Sequence, residues 1–334
     1  MSKYTAREIH LVSRPAAMPS AENFQLKEVE LDPPGPGQVL VENRYMSVDP
    51  YMRGRMRENA VYAEAYKLNE AMYGGAVGEV IESQSDKFKP GDLVLNGGAW
   101  RDRIVADEET LVPLQPFDPE RLSLYLGTLG MPGLTAYAGL LKFGEPKPGE
   151  TVFVSAASGA VGANVCQIAK SKGCRVVGSV GSDAKAKWLQ EECGVDATIN
   201  YRTCGNLTKA LSAAAPEGID VYFENVGSEH LEAALNVMNP HGRIAACGMI
   251  SSYNVAAPPP NNLMLIVGKK IRITGFIVFE HNDMRPQFLK EMESWIQAGD
   301  IKYQETVVEG LDNAVDAFLA LFSGDNFGKM IVKI

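Results

Sequence analysis

Residues 151–173 read TVFVSAASGAVGANVCQIAKSKG, and this stretch decides the fold. An apolar run, TVFVSA, gives way to a cluster of Ala, Ser and Gly. Apolar residues then recur at helical spacing, Val161, Val165, Ile168 and Ala169 falling at i, i+4, i+7 and i+8 with Gly173 as the stop. The pattern predicts a strand, a tight turn and a helix. Inside the turn, Ala157-Ser158-Gly159-Ala160-Val161-Gly162 is an A-x-G-x-x-G form of the dinucleotide fingerprint. Its small residues permit a sharp turn and close approach of a pyrophosphate, while the helix start offers free N–H groups and the positive end of a dipole. A glycine motif alone is weak, but the strand before it and the helix after it supply the context that gives it weight.

Downstream the alternation continues. RVVGSV, ATIN, DVYFEN, RIAACG and IRITGFIV read as strands, with helical patterns between them such as LEAALNVMNPHG, where Leu231, Leu235 and Met238 repeat the spacing. Strands alternating with helices predict an α/β domain, a doubly wound parallel sheet covered on both faces. The tail offers two helices, RPQFLKEMESWIQAG and NAVDAFLALFSG, and a closing strand, KMIVKI. Upstream, DPPGPGQVLVENRYMSVDP, GGAVGEVIES, FKPGDLVLNGG and WRDRIVADEETLVPL place a few Val, Ile or Leu between turn residues, the spacing of a β-barrel-like unit. The expected organisation is a β domain over residues 1–127, completed by 303–334, and a nucleotide domain over 128–302. APPPNN reads as a rigid loop, and no repeat stands out.

A chain of 334 residues suits two domains, and 46% hydrophobic with 22% charged residues is a globular composition. A net charge of −9 argues against a nucleic-acid partner, which is held through clustered Lys and Arg. No apolar run is long enough for a membrane span, and MSKYTAREIHLVSRP lacks the core of a secretory signal, so the expected location is the cytoplasm. The five cysteines contain no C-x-x-C pair and read as free thiols.

The second strand of the nucleotide domain, in CRVVGSVGSDAKAKW, indicates which dinucleotide is wanted. NAD sites place Asp or Glu at its end to bond the adenosine ribose 2′-hydroxyl. Here Val180 stands there, followed by Gly181 and Ser182. With no carboxylate to repel it, a 2′-phosphate fits, and Ser182, Lys185 and either Tyr201 or Arg202 from INYRT are placed to bind it. The predicted cofactor is NADP(H).

Catalytic zinc needs about three protein ligands, and the first domain offers His10 and no Cys. No metal is expected. His230, His241 and His281 sit at positions that read as solvent-exposed. Ser158 is not in a nucleophile elbow. Hydride transfer remains, in which the protein supplies orientation and a hydrogen bond for developing negative charge. Candidate donors are Tyr51 in SVDPYMRGRM and Tyr253 in GMISSYN; Tyr62, Tyr66 and Tyr73 could line a substrate mouth or pack a loop.

These phrases together, with GTLGMPGLTAY, GSDAKAKWL, YFENVG and GDNFGK, resemble the zinc-independent medium-chain dehydrogenase/reductase family, in its prostaglandin reductase and alkenal or curcumin reductase branch. The resemblance implies a GroES-like catalytic domain plus a Rossmann domain, a homodimer, and NADPH-dependent reduction of the C=C bond of α,β-unsaturated ketones and aldehydes. It implies cofactor contacts at Gly159, Ala160, Val161 and Gly162, at Lys185 and Tyr201, and at Asn225. They continue through Cys247, Gly248, Met249, Ile250, Ser251, Ser252 and Tyr253, then Phe276, Ile277 and Val278, and Asn326, with Met131 and Thr135 beside the nicotinamide. Some members carry a tyrosine where this chain has Gly268, so the proton donor is left among Tyr253, Tyr51, the cofactor ribose and water. The alternatives are a zinc-free quinone reductase and a non-catalytic NADPH-binding sensor or structural protein.

Overall fold

Apolar residues spaced two apart and interrupted by Gly and Pro become strands in the first third of the chain. A computed structural model describes residues 3–334. In it, β1 (Tyr4–Leu11), β2 (Phe24–Leu31), β3 (Gln38–Ser47), β4 (Glu70–Ala71), β5 (Ala76–Ser83), β6 (Leu93–Asn96), β7 (Arg103–Asp107) and β8 (Val112–Pro113) precede the nucleotide motif. A three-stranded sheet has the order β2-β1-β4. The long β3 anchors the larger sheet, pairing antiparallel with both β5 and β7. Helix α1 (Met52–Arg55) follows β3 directly.

The next unit opens with α2 (Met131–Ala138), then β9 (Thr151–Val154), α3 (Gly162–Ser171), β10 (Arg175–Val180), α4 (Asp183–Glu191), β11 (Ala197–Asn200), α5 (Leu207–Ala214), β12 (Ile219–Glu224), α6 (Ser228–Val237), β13 (Met238–Ala246), α7 (Met264–Lys269), β14 (Arg272–Gly275) and α8 (Arg285–Ala298). The six strands form one sheet in the order β11-β10-β9-β12-β13-β14. All its pairings are parallel. Chain order therefore reverses between β9 and β12, the switch point at which ligands collect beyond the strand ends. All four residues of β9 are buried, as a central strand covered on both faces requires.

The chain then closes with β15 (Glu305–Glu309), α9 (Ala314–Ser323) and β16 (Lys329–Lys333). β16 pairs antiparallel with β3, Ile331 opposite Ser47. Two compact units result: one runs to Gly127 and takes in Glu305–Asn326 and Met330–Ile334, the other is Thr128–Gln304 with Phe327–Lys329. In the first, buried Trp100 stacks on Phe24 at 6.0 Å and meets Phe318 edge-on at 5.9 Å, tying α9 into its core. Among the described residues no helix is long and apolar enough to cross a membrane.

One expected helix is shorter than its apolar spacing suggests. LEAALNVMNPHG stops being helical at Val237, and Met238 begins β13, opposite Ile219 of β12. Pro240 disfavours helix in the residue before it. Lys269 supplies the stop, its ammonium donating to the carbonyls of Leu235, Asn236 and Met238 at 2.8–2.9 Å.

Candidate active site

At the end of β9 the backbone turns through Ala156, a non-glycine residue at φ +48°, into the glycine motif. A Cβ on Gly162 would lie 2.3 Å from the Ala156 carbonyl oxygen and 2.8 Å from the Ala157 Cα, so the helix can start this close to the strand only with glycine there. Gly159 is less tightly held, 3.2 Å from the same oxygen. The ladder of α3 begins as the Ala163 amide donates to the Gly159 carbonyl at 3.0 Å. That leaves the Val161 and Gly162 amides ahead of it, at the positive end of the helix. These amides, at the start of a helix that Gly162 lets pack close to the strand, fit a pyrophosphate.

A second strand of chain crosses the loop. The Gly328 amide donates to the Ser158 carbonyl at 3.1 Å, and Gly159 and Gly328 form a parallel bridge. Phe327 meets Trp188 of α4 edge-on at 5.2 Å. Asn326, the expected contact just before them, is the last residue of the first unit before this crossing.

At the end of β10, where an NAD site would hold an acid, Val180 is buried. Ser182 caps α4, its hydroxyl accepting from the Lys185 amide at 3.4 Å. Parallel pairing of β10 with β11, Val180 opposite Asn200, brings the INYRT turn alongside. A Cβ on Gly181 would lie 3.0 Å from the Tyr201 hydroxyl and 3.4 Å from the Arg202 guanidinium. Gly181, Ser182, Tyr201 and Arg202 thus share one place, with Lys185 in the first turn of α4. The Asp183 carboxylate accepts from the Asn200 amide at 2.7 Å. Lys187 lies on the outer face of α4, 3.9 Å from Glu191.

His230 was expected at the surface, and so was His281; both are buried, at 5% and 8% exposure, and only His241 of the three is exposed. His230 meets the Tyr201 ring edge-on at 5.2 Å. Burial pushes its pKa down to about 4, against roughly 6.5 for an unperturbed imidazole. The unfolded chain thus takes the proton first. The stability that His230 contributes is complete above pH ~6.5 and is lost as the pH falls towards 4, by about 3 kcal/mol in the limit. Thermal melts across this window should show a shallower fall in Tm for His230→Phe than for the parent chain.

The opposite end is built from the exits of β9, β12 and β13. Glu224, fully buried, holds them together. One carboxyl oxygen accepts from the Tyr222 hydroxyl at 2.7 Å, the Val226 and Gly227 amides at 2.7 and 2.8 Å and the Ser155 hydroxyl at 3.2 Å. Its backbone carbonyl accepts from the Cys247 and Gly248 amides, both at 3.0 Å. Burial raises its pKa, partly countered by those donors. Asn225 donates from its amide side chain to the Ser155 carbonyl at 2.7 Å.

The turn 248–253 lies against this loop: the Ile250 amide donates to Asn225 and the Ser251 amide to Val226, at 3.2 and 3.1 Å. Met249 is exposed, Ser252 ends the short 3-10 turn, and Tyr253 places its hydroxyl 3.1 Å from where a Cβ on Gly248 would be. Burial, then Glu224, pushes the Cys247 thiol up to about 12, so it stays protonated at neutral pH. Phe276 packs on Gly139, whose added Cβ would be 2.4 Å from its ring, and stacks on Phe143 at 5.0 Å; Ile277 and Val278 follow it out of β14. The Thr135 hydroxyl donates to the Met131 carbonyl at 2.7 Å, leaving it to offer lone pairs.

Tyr51, in the first unit, precedes α1, and burial followed by nearby Asp49 pushes its phenol well above the usual range, keeping it a donor. Tyr66 is committed to packing: its hydroxyl donates to the Tyr73 carbonyl at 2.6 Å and the Arg55 guanidinium lies 4.3 Å over its ring. Tyr62 and Tyr73 are exposed. Among the described residues no group of three or more His, Cys, Asp or Glu side chains could hold a metal ion. His10 is turned to Glu8 at 2.8 Å, and Glu8 also meets Arg101 at 3.2 Å. The donor set for a catalytic zinc is therefore lacking among these residues.

Residues 7–114 match the family profile described as the N-terminal domain of oxidoreductase, and residues 160–294 match that described as zinc-binding dehydrogenase. The NADPH-dependent curcumin reductase of Escherichia coli (strain K12) is 42% identical over 97% of this chain and 95% of its own length. The NADP(+)-dependent 2-alkenal reductase of Nicotiana tabacum is 42% identical over 98% and 97%. Among solved structures, CurA from Vibrio vulnificus in complex with NADPH superposes with a TM-score of 0.93 at 40% identity, covering 98% of each chain.

Proposed function

Since the chain belongs to the medium-chain dehydrogenase/reductase family, in the branch of alkenal, prostaglandin and curcumin reductases, we propose that it is an NADPH-dependent reductase of the C=C bond of enones and enals. The observation that carries this reading is the adenosine-end cluster of Gly181, Ser182, Lys185, Tyr201 and Arg202, with buried Val180 where an NAD site would hold an acid, taken with relatives of named chemistry. NADPH, when bound, supplies hydride to the β-carbon of the substrate.

The chain's own residues do the rest. The α3 amides hold the pyrophosphate, while Lys185, Ser182 and Tyr201 hold the 2′-phosphate. Asn225, the 247–253 turn, Phe276–Val278, Met131, Thr135 and Asn326 form the remaining contacts. Negative charge develops on the substrate carbonyl oxygen, a neutral hydroxyl donor stabilises it, and a proton delivered to the α-carbon from a phenol, the cofactor ribose hydroxyl or water completes the reduction. Tyr253 and Tyr51 are the candidates for that donor; with Gly268 surrounded by open space, no side chain serves from that position. Tyr253→Phe should lower kcat by roughly 100- to 1,000-fold, the scale of one lost donor, with KM for NADPH within about threefold. Steady-state kinetics at saturating NADPH checks it, and unchanged kcat removes Tyr253 from the mechanism.

A homodimer in the cytoplasm completes the reading. β14 is the edge of the nucleotide sheet and is exposed at Ile273, with Val267 and Phe279 exposed nearby in sequence, a surface suited to a second copy. The function itself is tested by following NADPH absorbance with an alkenal, a cyclic enone and a quinone. Turnover of the first two supports the reading; turnover of the quinone alone, or of none, refutes it.

A further inference from the structure

We propose that His230 is a positioning residue for cofactor choice, holding the Tyr201 phenol at the 2′-phosphate position; the inference rests on the adenosine pocket proposed above. Tyr201 follows β11 on a turn, its amide donating to the Val180 carbonyl at 3.0 Å, and its ring is 40% exposed. A half-exposed side chain so placed samples several rotamers unless something backs it. The hydroxyl end touches the bare backbone of Gly181, 3.0 Å from where a Cβ would be. His230 is packed against the ring, edge-on at 77°.

His230 comes from the first turn of α6, in a different crossover from β10 and β11, so it fixes the phenol from a rigid element rather than from the turn itself. It is nine-tenths buried, and its Nε2 has no partner among the described residues. A buried polar atom left unpaired is disfavoured, so what His230 offers here is its flat ring. That ring stands T-shaped to the Tyr201 phenol. Loss of that ring should free Tyr201 and weaken one of the interactions that distinguish NADPH from NADH, leaving the shared pyrophosphate cradle intact.

The test is steady-state kinetics of His230→Leu, His230→Phe and Lys185→Glu with NADPH and with NADH, using a simple enone. His230→Leu should raise KM for NADPH roughly three- to tenfold, the range of one aromatic pair, with KM for NADH and kcat within about twofold. His230→Phe should restore the parent preference. A His230→Leu enzyme whose NADPH-to-NADH preference is unchanged, whether both KM values hold or rise together, overturns the proposal. If Lys185→Glu shifts the preference while His230→Leu does not, only the role of His230 fails. If neither shifts it, the pocket reading fails and this one with it. Should His230→Leu not fold, His230→Gln, which keeps polarity but has no ring, is read in the same way.

Discussion

Lys185→Glu is expected to raise KM for NADPH by roughly 100- to 1,000-fold while leaving NADH within a few-fold. The reasoning is electrostatic. A charge-assisted hydrogen bond contributes about 1.5–3 kcal/mol, and a carboxylate about 4 Å from a phosphate adds about 1–4 kcal/mol of repulsion, depending on local dielectric. Even the low end of the sum, about 2.5 kcal/mol, is a factor of roughly 70, and anything above it passes 100. Lys187 is the internal control. It is on the same helix but is 70% exposed and faces Glu191, so Lys187→Glu should change KM for NADPH less than about threefold. The Lys185 effect should also shrink as salt is added, because the site is open to solvent at Tyr201. Equal losses for NADPH and NADH would show that Lys185 acts on folding and not on the phosphate.

Gly162→Ala is expected to lower both stability and cofactor affinity, and more severely than Gly159→Ala. The added Cβ would sit 2.3 Å from the Ala156 carbonyl oxygen and 2.8 Å from the Ala157 Cα. Both are backbone atoms, so no side chain can swing aside and the turn itself must open. Overpacking of this kind costs about 1–3 kcal/mol, and Ala156 is already in the left-handed region, where strain is concentrated at functional sites. Opening the turn also carries the α3 amides away from the pyrophosphate. A fall in Tm with at least a tenfold loss of NADPH affinity, measured by fluorescence titration, is the expected pair of results. At Gly159 the contact is 3.2 Å, which a shift of a few tenths of an ångström relieves.

Much of this architecture could be read from residues alone because two periodicities alternate so regularly after Thr151, and because the glycine motif lies where they change. That Gly181, Tyr201 and Arg202 lie together was legible for the same reason. Parallel pairing of successive strands dictates that the residue after Val180 and the residues after Asn200 end side by side, however far apart they are in sequence. What escaped was decided by tertiary packing. His230 and His281 look polar and hence external, yet α6 is buried on several sides, with His230, Leu231, Ala233, Ala234 and Leu235 all inside. His281 is taken in at a kink, where Lys142 approaches it at 3.2 Å. Met238 kept helical spacing but was captured by β12. The role of Glu224 was missed although ENVG stood at a strand end, a place where a carboxyl can cap the amides of the following turn. The return of Phe327–Lys329 to the nucleotide unit runs through backbone bonds to Ser158 and Gln304, which leave no mark on side-chain pattern.

The most direct test of the central claim is to reduce a simple enone with NADPH carrying deuterium at C4 of the nicotinamide and to locate the label in the product. The expected product is a saturated ketone with its carbonyl intact and deuterium on the β-carbon. Deuterium on a carbinol carbon, with the C=C bond retained, would contradict it.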